Sequence, residues 1–84
     1  MEIRLSLETE LRAFWKASAA MQAAARAGDI PAAREAIDEL EGIALHGAPK
    51  AARGAYAAMQ TMEGQDDAFL ACYARQALGR LQAA

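Results

Sequence analysis

The sequence predicts an all-α fold, a small antiparallel up-down bundle of four helices, and three observations carry this prediction. Alanine, the best intrinsic helix former, accounts for 24 of the 84 residues. Valine is absent and the other β-branched residues are few, so the usual material of strands is missing. Four stretches with helical apolar periodicity, separated by Gly and Pro, cover most of the chain. At this length we expect one domain, residues 1–84.

The first helix is predicted from a stripe of residues spaced three and four apart, which stays on one side of a helix. Its members are Leu7, Leu11, Phe14, Ser18, Met21 and Ala25. Ser6 is expected to cap this helix, with acidic residues in the first turn at the positive end of the helix dipole. Residues 2–7 alternate apolar and polar side chains, so we interpret them as extended or frayed chain leading into the helix.

The second helix is expected to follow a break at Gly28-Asp29. Pro31 would lie in its first turn, where a missing N–H does no harm. Apolar residues again recur at spacings of three and four, namely Ile30, Ala33, Ile37, Leu40 and Ala44. Arg34 and Asp38 stand four residues apart and are expected to form a charge pair on the outer face.

A junction and a weaker third helix are predicted next. His46 would lie in the last turn of helix two, Gly47 is suited to the left-handed turn that ends a helix, and Pro49 begins helix three. This third helix is predicted to run from Pro49 to about Met62, with Gly54 as a weak point in its interior. The alternative is three long helices with helix three distorted.

The fourth helix is expected after Gly64, with Asp66 or Asp67 as its cap. Its apolar face is set by Leu70, Ala74, Ala77 and Leu81. Connections of about two to four residues require consecutive helices to lie antiparallel.

Residues 25–40, ARAGDIPAAREAIDEL, resemble the glycine turn and second helix of a tetratricopeptide-type helical hairpin. Gly28, Ile30 and Ala33 stand at fitting positions. The likeness covers less than a third of the 84 residues, and no second copy follows at the 34-residue period of that family. The resemblance implies a helix pair made for stacking on other helices.

Few residues suit catalysis or metal binding. The chain has one cysteine, Cys72, and one histidine, His46, whereas a zinc site needs several such ligands at suitable spacing. We therefore expect no metal, no cofactor and no enzymatic activity. Cys72 is interpreted as a small buried or half-buried side chain; the alternative, a thiol nucleophile, would need His46 as its base.

Charge and hydropathy limit the partners. The net charge is −2, which argues against nucleic acid as a partner. No apolar run approaches the length needed to cross a bilayer, and the N-terminal residues mix charge with apolar side chains, unlike a signal peptide. We expect a soluble cytoplasmic protein without membrane contact.

The residues expected to bind a partner fall into two groups. Trp15 and Phe69 lie beside the apolar stripes, not within them, and are predicted to form an exposed apolar patch together with Tyr73. Acidic side chains on helix two form the second group, an acidic strip that suits a basic groove on a partner; its members are Glu35, Asp38 and Glu39. Because so small a domain has little core, a homodimer is also expected.

The predicted function is a non-enzymatic helical protein–protein interaction module that acts by steric or electrostatic occlusion or by bridging. Adaptors, regulators, assembly factors and inhibitors are of this kind, among them phage-encoded blockers of host defence proteins. The alternative is a DNA-binding regulator that uses the turn between helices two and three, with Lys50 and Arg53 as phosphate contacts. The acidic residues of helix two oppose that alternative.

Overall fold

The computed structural model describes residues 2–64 and 68–83, with side chains from residue 8 onward in the first segment. This part of the chain forms four α-helices, which are α1 (Glu2–Ala27), α2 (Ile30–His46), α3 (Pro49–Glu63) and α4 (Ala68–Ala83). The predicted all-α bundle of four helices is confirmed, and α3 is a separate, continuous helix. The predicted caps at Asp66 and Asp67 lie outside the described residues.

The first helix is longer than expected. It begins at Glu2, so the prediction of extended chain over residues 2–7 and of a cap at Ser6 is wrong. Ile3 and Leu7 stand four apart and lead on to Leu11, so this segment fits the helical period as well as the alternating one. Glu, Arg and Leu are also strong helix formers, and together these preferences outweigh the alternation.

The break between α1 and α2 lies at Gly28-Asp29, as predicted. Gly28 has a φ of 74°, the left-handed conformation that favours glycine. Asp29 caps α2, because its Oδ1 accepts a hydrogen bond from the backbone N–H of Ala32 at 3.2 Å. Pro31 lies in the first turn. Two residues therefore reverse the chain and complete the start of the next helix.

The junction between α2 and α3 differs from the prediction in one respect. Gly47 has φ −79° and ψ 168°, which is extended backbone, so the predicted left-handed turn is wrong. Glycine is needed here for space: a Cβ atom at this position would lie 2.5 Å from the carbonyl oxygen of Ile43. That same oxygen accepts the Gly47 N–H at 2.8 Å, and this bond draws the two backbones together.

The four helices form two antiparallel hairpins that stack side by side. α1 packs on α2 and α3, and α4 packs on α3 and α2, whereas α1 and α4 barely touch within the described residues. In α1, Glu10 reaches Ala48 and Phe14 reaches Gly54, so α1 runs parallel to α3. The first helix therefore does not close a ring with the last.

The core contains many small side chains and few large ones. Only seven large side chains are buried among the described residues, and these are Met21, Ile37, Leu40, Met59, Met62, Leu70 and Leu78. Most of the other buried positions are alanines, which allow helix axes to approach toward the lower end of the usual range, about 8 Å. Fully burying a large side chain stabilises a fold by about 1.5–3 kcal/mol. So few of them leave this domain little reserve of stability.

Candidate interaction surfaces

Tyr73 is the centre of the contact between α2 and α4. Its hydroxyl donates a hydrogen bond to Asp38 Oδ1 at 2.6 Å, and the guanidinium of Arg34 lies 4.6 Å from the centroid of its ring. The hydrogen bond to Asp38 stabilises the protonated phenol and raises the pKa of Tyr73. The predicted ion pair between Arg34 and Asp38 is wrong for the described residues, because both side chains meet Tyr73 instead.

A second polar contact joins the same two helices. Arg80 donates from Nε and Nη2 to the two carboxylate oxygens of Glu41, each at 2.8 Å. These hydrogen bonds lower the pKa of Glu41 and raise that of Arg80. Asp38 meets Tyr73 and Glu41 meets Arg80, so the contacts follow the same order along both helices. Hence α2 and α4 run parallel, as α1 and α3 do.

A shallow hollow of about 440 Å³ lies beside this contact. Its lining comes from α4 and one residue of α2, namely Arg34, Ala68, Phe69, Cys72, Tyr73 and Gln76. Phe69 is 64% exposed, so a large apolar side chain faces water here. The hollow combines an aromatic wall with one basic group at its edge.

Cys72 lines the same hollow, and its position corrects an expectation. The thiol is exposed, so the interpretation of a buried or half-buried cysteine is wrong. The buried face of α4 is set by Leu70, Ala74 and Ala77, and residue 72 points away from that face. Cys72 Sγ accepts a long hydrogen bond from Gln76 Nε2 at 3.9 Å.

Trp15 is also exposed, at 67%, but it lies elsewhere. Its ring packs against that of Phe14, with centroids 5.1 Å apart and an interplanar angle of 50°. Trp15 belongs to α1 and Phe69 to α4, two helices that barely touch among the residues described. The structure thus brings Phe69 and Tyr73 together and places Trp15 on a different helix surface.

The three residues of the predicted acidic strip stand three and four apart on the exposed face of α2. Asp38 faces α4, where Tyr73 holds it. Glu35 and Glu39 face α1 and line a groove of about 240 Å³ together with Lys16. The rest of that groove consists of alanines, namely Ala17, Ala20, Ala32 and Ala36. All three side chains are exposed, and the acidic strip stays a prediction.

His46 and Cys72 line different hollows. The hollow at His46 lies between α1 and the end of α2, with Glu10 and Glu39 on its walls, and Cys72 is not part of it. In the described part of the chain there is no group of three or more His, Cys, Asp or Glu suited to a metal ion. None of the helices that the structure describes is both long enough and apolar enough to cross a membrane.

Lys50 and Arg53, the predicted phosphate contacts, are both exposed in the first turns of α3. A side chain of α1 binds the start of this helix, because the N–H of Ala48 donates a hydrogen bond to Glu10 Oε2 at 2.7 Å. A helix N-terminus attracts anions, and here the carboxylate of Glu10 takes that place. Sequence spacing gave no sign of this contact, because its partners lie 38 residues apart.

Comparison with known proteins finds no matching family model, no similar curated protein and no similar solved structure. The function is therefore inferred from the surfaces described above.

Proposed function

We propose that this chain is a non-enzymatic helical interaction module that binds a protein partner and acts as an adaptor, regulator or inhibitor by occlusion or bridging. The hollow at Phe69 is the observation that supports this function. Exposed aromatic side chains supply large contact areas at low entropic cost. Tyr73 is held from two sides by Asp38 and Arg34, so part of the binding surface is ordered before a partner arrives.

The composition of the hollow indicates the chemistry of its partner. Phe69 and Tyr73 provide an apolar wall that suits an apolar or aromatic side chain. Arg34 forms no ion pair among the described residues, so its guanidinium retains donors for a carboxylate. The surface therefore fits a partner segment that carries an acidic residue next to an apolar one.

The test begins with affinity capture from cells of the natural host, followed by mass spectrometry, and continues with the purified partner in calorimetry. Phe69→Ala is expected to raise the Kd at least tenfold, because residues at the centre of an interface carry most of the binding energy. Trp15→Ala, an equally exposed aromatic on another helix, is the matched control and should leave the Kd unchanged. Equal binding by the wild type and Phe69→Ala would contradict the proposed site.

A DNA-binding regulator that uses Lys50 and Arg53 is the second candidate, favoured by their exposure beside a two-residue turn. The carboxylate of Glu10 at the start of α3 opposes it. A gel-shift titration at low salt separates the two functions. Retardation that falls steeply with salt and is lost in Lys50→Gln/Arg53→Gln would support DNA binding, and no retardation at micromolar protein would remove it.

A further inference from the structure

We propose that a second copy of this chain docks on the groove between α1 and α2, with a two-fold axis parallel to the helices. This surface lies on the opposite side of α2 from the hollow at Phe69. The proposed dimer therefore uses different residues from the proposed partner site.

The shape of the groove suits another helix. Ala17 and Ala36 are buried at its floor, Ala32 is half-buried, and Ala20 is exposed on its wall. Side chains this small let a second pair of helices approach closely, near the lower end of the usual interaxial range of about 8–10 Å. The groove has a volume of about 240 Å³, and four of the seven residues that line it are alanines.

The two walls of the groove carry opposite charges. Lys16 is exposed on the α1 wall, and residues 11–28 contain three basic residues and no acid. Glu35 and Glu39 are exposed on the α2 wall. Within the described residues none of these three side chains forms an ion pair, so each wall presents charges that a partner can neutralise.

Two-fold symmetry makes this groove complementary to itself. An axis parallel to the helices places α1 of one copy against α2 of the other, twice in each dimer. Lys16 then faces the glutamates of the second copy, because all three side chains line one groove and so lie at a similar height. An axis perpendicular to the helices would instead oppose α1 to α1 and α2 to α2, and like charges across an interface are unfavourable. The charges therefore select the parallel axis.

A charge-swap experiment tests this dimer by analytical ultracentrifugation over a dilution series. Lys16→Glu alone, or Glu35→Lys with Glu39→Lys, places like charges opposite each other at two symmetric sites and should raise the dimer Kd about 30-fold or more. An equimolar mixture of these two variants should restore dimerisation as heterodimers, because each wall again meets its opposite. Rescue by mixing cannot arise from a change in folding, and circular dichroism checks that each variant remains helical.

Two controls separate this surface from the rest of the molecule. Arg53→Glu makes the same change in net charge outside the groove and should leave the dimer Kd unchanged. Phe69→Ala should also leave it unchanged, so loss of the proposed partner site and loss of the dimer are distinguishable. Raising the salt concentration should weaken the wild-type dimer, because screening reduces the attraction between exposed charges.

The proposal is overturned by a wild-type chain that stays monomeric at millimolar concentration. It is equally overturned if the dimer persists in both charge-reversed variants, if mixing them fails to restore association, or if Phe69→Ala abolishes the dimer.

Discussion

Two of the contacts between the two hairpins differ in character. Between α1 and α3, the ring of Phe14 packs against the backbone of Gly54, and this packing is apolar. Between α2 and α4, a hydrogen bond from Tyr73 to Asp38 lies at the surface and is exposed to water. The packing of Phe14 on Gly54 depends on shape and involves no titratable group, whereas the bond between Tyr73 and Asp38 depends on the protonation of the phenol. Mutations should therefore affect the two contacts by different amounts and under different conditions.

The largest effect is expected at the apolar contact. A Cβ atom at position 54 would lie 2.9 Å from Phe14 Cζ, so Gly54→Val must displace the ring or part the two helices. Overpacking of this kind costs about 1–3 kcal/mol, and we expect a loss near the upper end of that range, measured by urea unfolding.

Gly42→Val is the matched control, since a Cβ at position 42 meets nothing within 4 Å. Valine and glycine differ by only about half a kcal/mol in helix propensity, so this variant should remain close to the wild type in its free energy of unfolding. A similar free energy of unfolding for the two variants would show that the ring of Phe14 can move aside without destabilising the fold.

The next largest effect is expected at the polar contact. Tyr73→Phe removes the hydroxyl that bonds to Asp38, and we expect a loss of about 1 kcal/mol in the free energy of unfolding. Tyr56→Phe is the control: the Tyr56 hydroxyl accepts a hydrogen bond from the neutral amide of Gln82, at 2.9 Å, and its loss should matter less. Equal losses would contradict the special role given to Asp38.

The same hydrogen bond predicts an alkaline dependence. The pKa of Tyr73 is raised above its ordinary value of about 10, so its stabilising contribution is complete below that pH and is lost as pH rises through the raised pKa. Ultraviolet absorbance of the Tyr56→Phe variant follows this phenol alone. Adding Asp38→Asn should shift its titration to lower pH, and an unshifted curve would contradict the assignment.

A smaller effect is expected at Glu41. Its pKa is lowered by the hydrogen bonds from Arg80, so its contribution is present above the ordinary glutamate pKa and is lost as pH falls through the lowered pKa. Since Arg80 is half exposed, Glu41→Gln should cost only about 0.5–1 kcal/mol at neutral pH. Urea unfolding of both proteins should show that this difference disappears in acid; a difference that persists there would point to packing instead.

The smallest effect is expected between α3 and α4. Arg75 and Glu63 are joined by one contact of 3.3 Å, and their side chains are 66% and 36% exposed. Exposed pairs of this kind contribute about 0–1 kcal/mol, so Glu63→Gln should change the free energy of unfolding by less than Glu41→Gln does. The reverse order would mean that exposure does not govern these pairs.

The helices could be predicted because their signals are local. Gly28, Asp29 and Pro31 fixed the first break, and Pro49 fixed the start of α3, through backbone preferences that act within a few residues. The start of α1 was missed because residues 2–7 satisfy two periods at once. Gly47 was correctly placed at the helix end, but its left-handed conformation was predicted wrongly. A close backbone contact and a positive φ both require glycine, and the sequence does not distinguish them.

The surfaces were harder to predict because they depend on contacts between distant residues. Nothing near Asp38 in the sequence indicates that its carboxylate accepts a hydrogen bond from Tyr73. Likewise, nothing near Gly54 indicates that the ring of Phe14 packs against its backbone. The exposure of Trp15 and Phe69 was foreseen from their places beside the apolar stripes. Their separation was not, because it follows from a stacking order in which α1 and α4 lie apart.

The hydrogen bond between Glu10 and Ala48 makes the first turn of α3 depend on a distant part of the chain. When α1 detaches, the amide proton of Ala48 loses its acceptor and becomes free to exchange with solvent. Deuterium uptake at that single amide therefore reports the detachment of α1 from the start of α3.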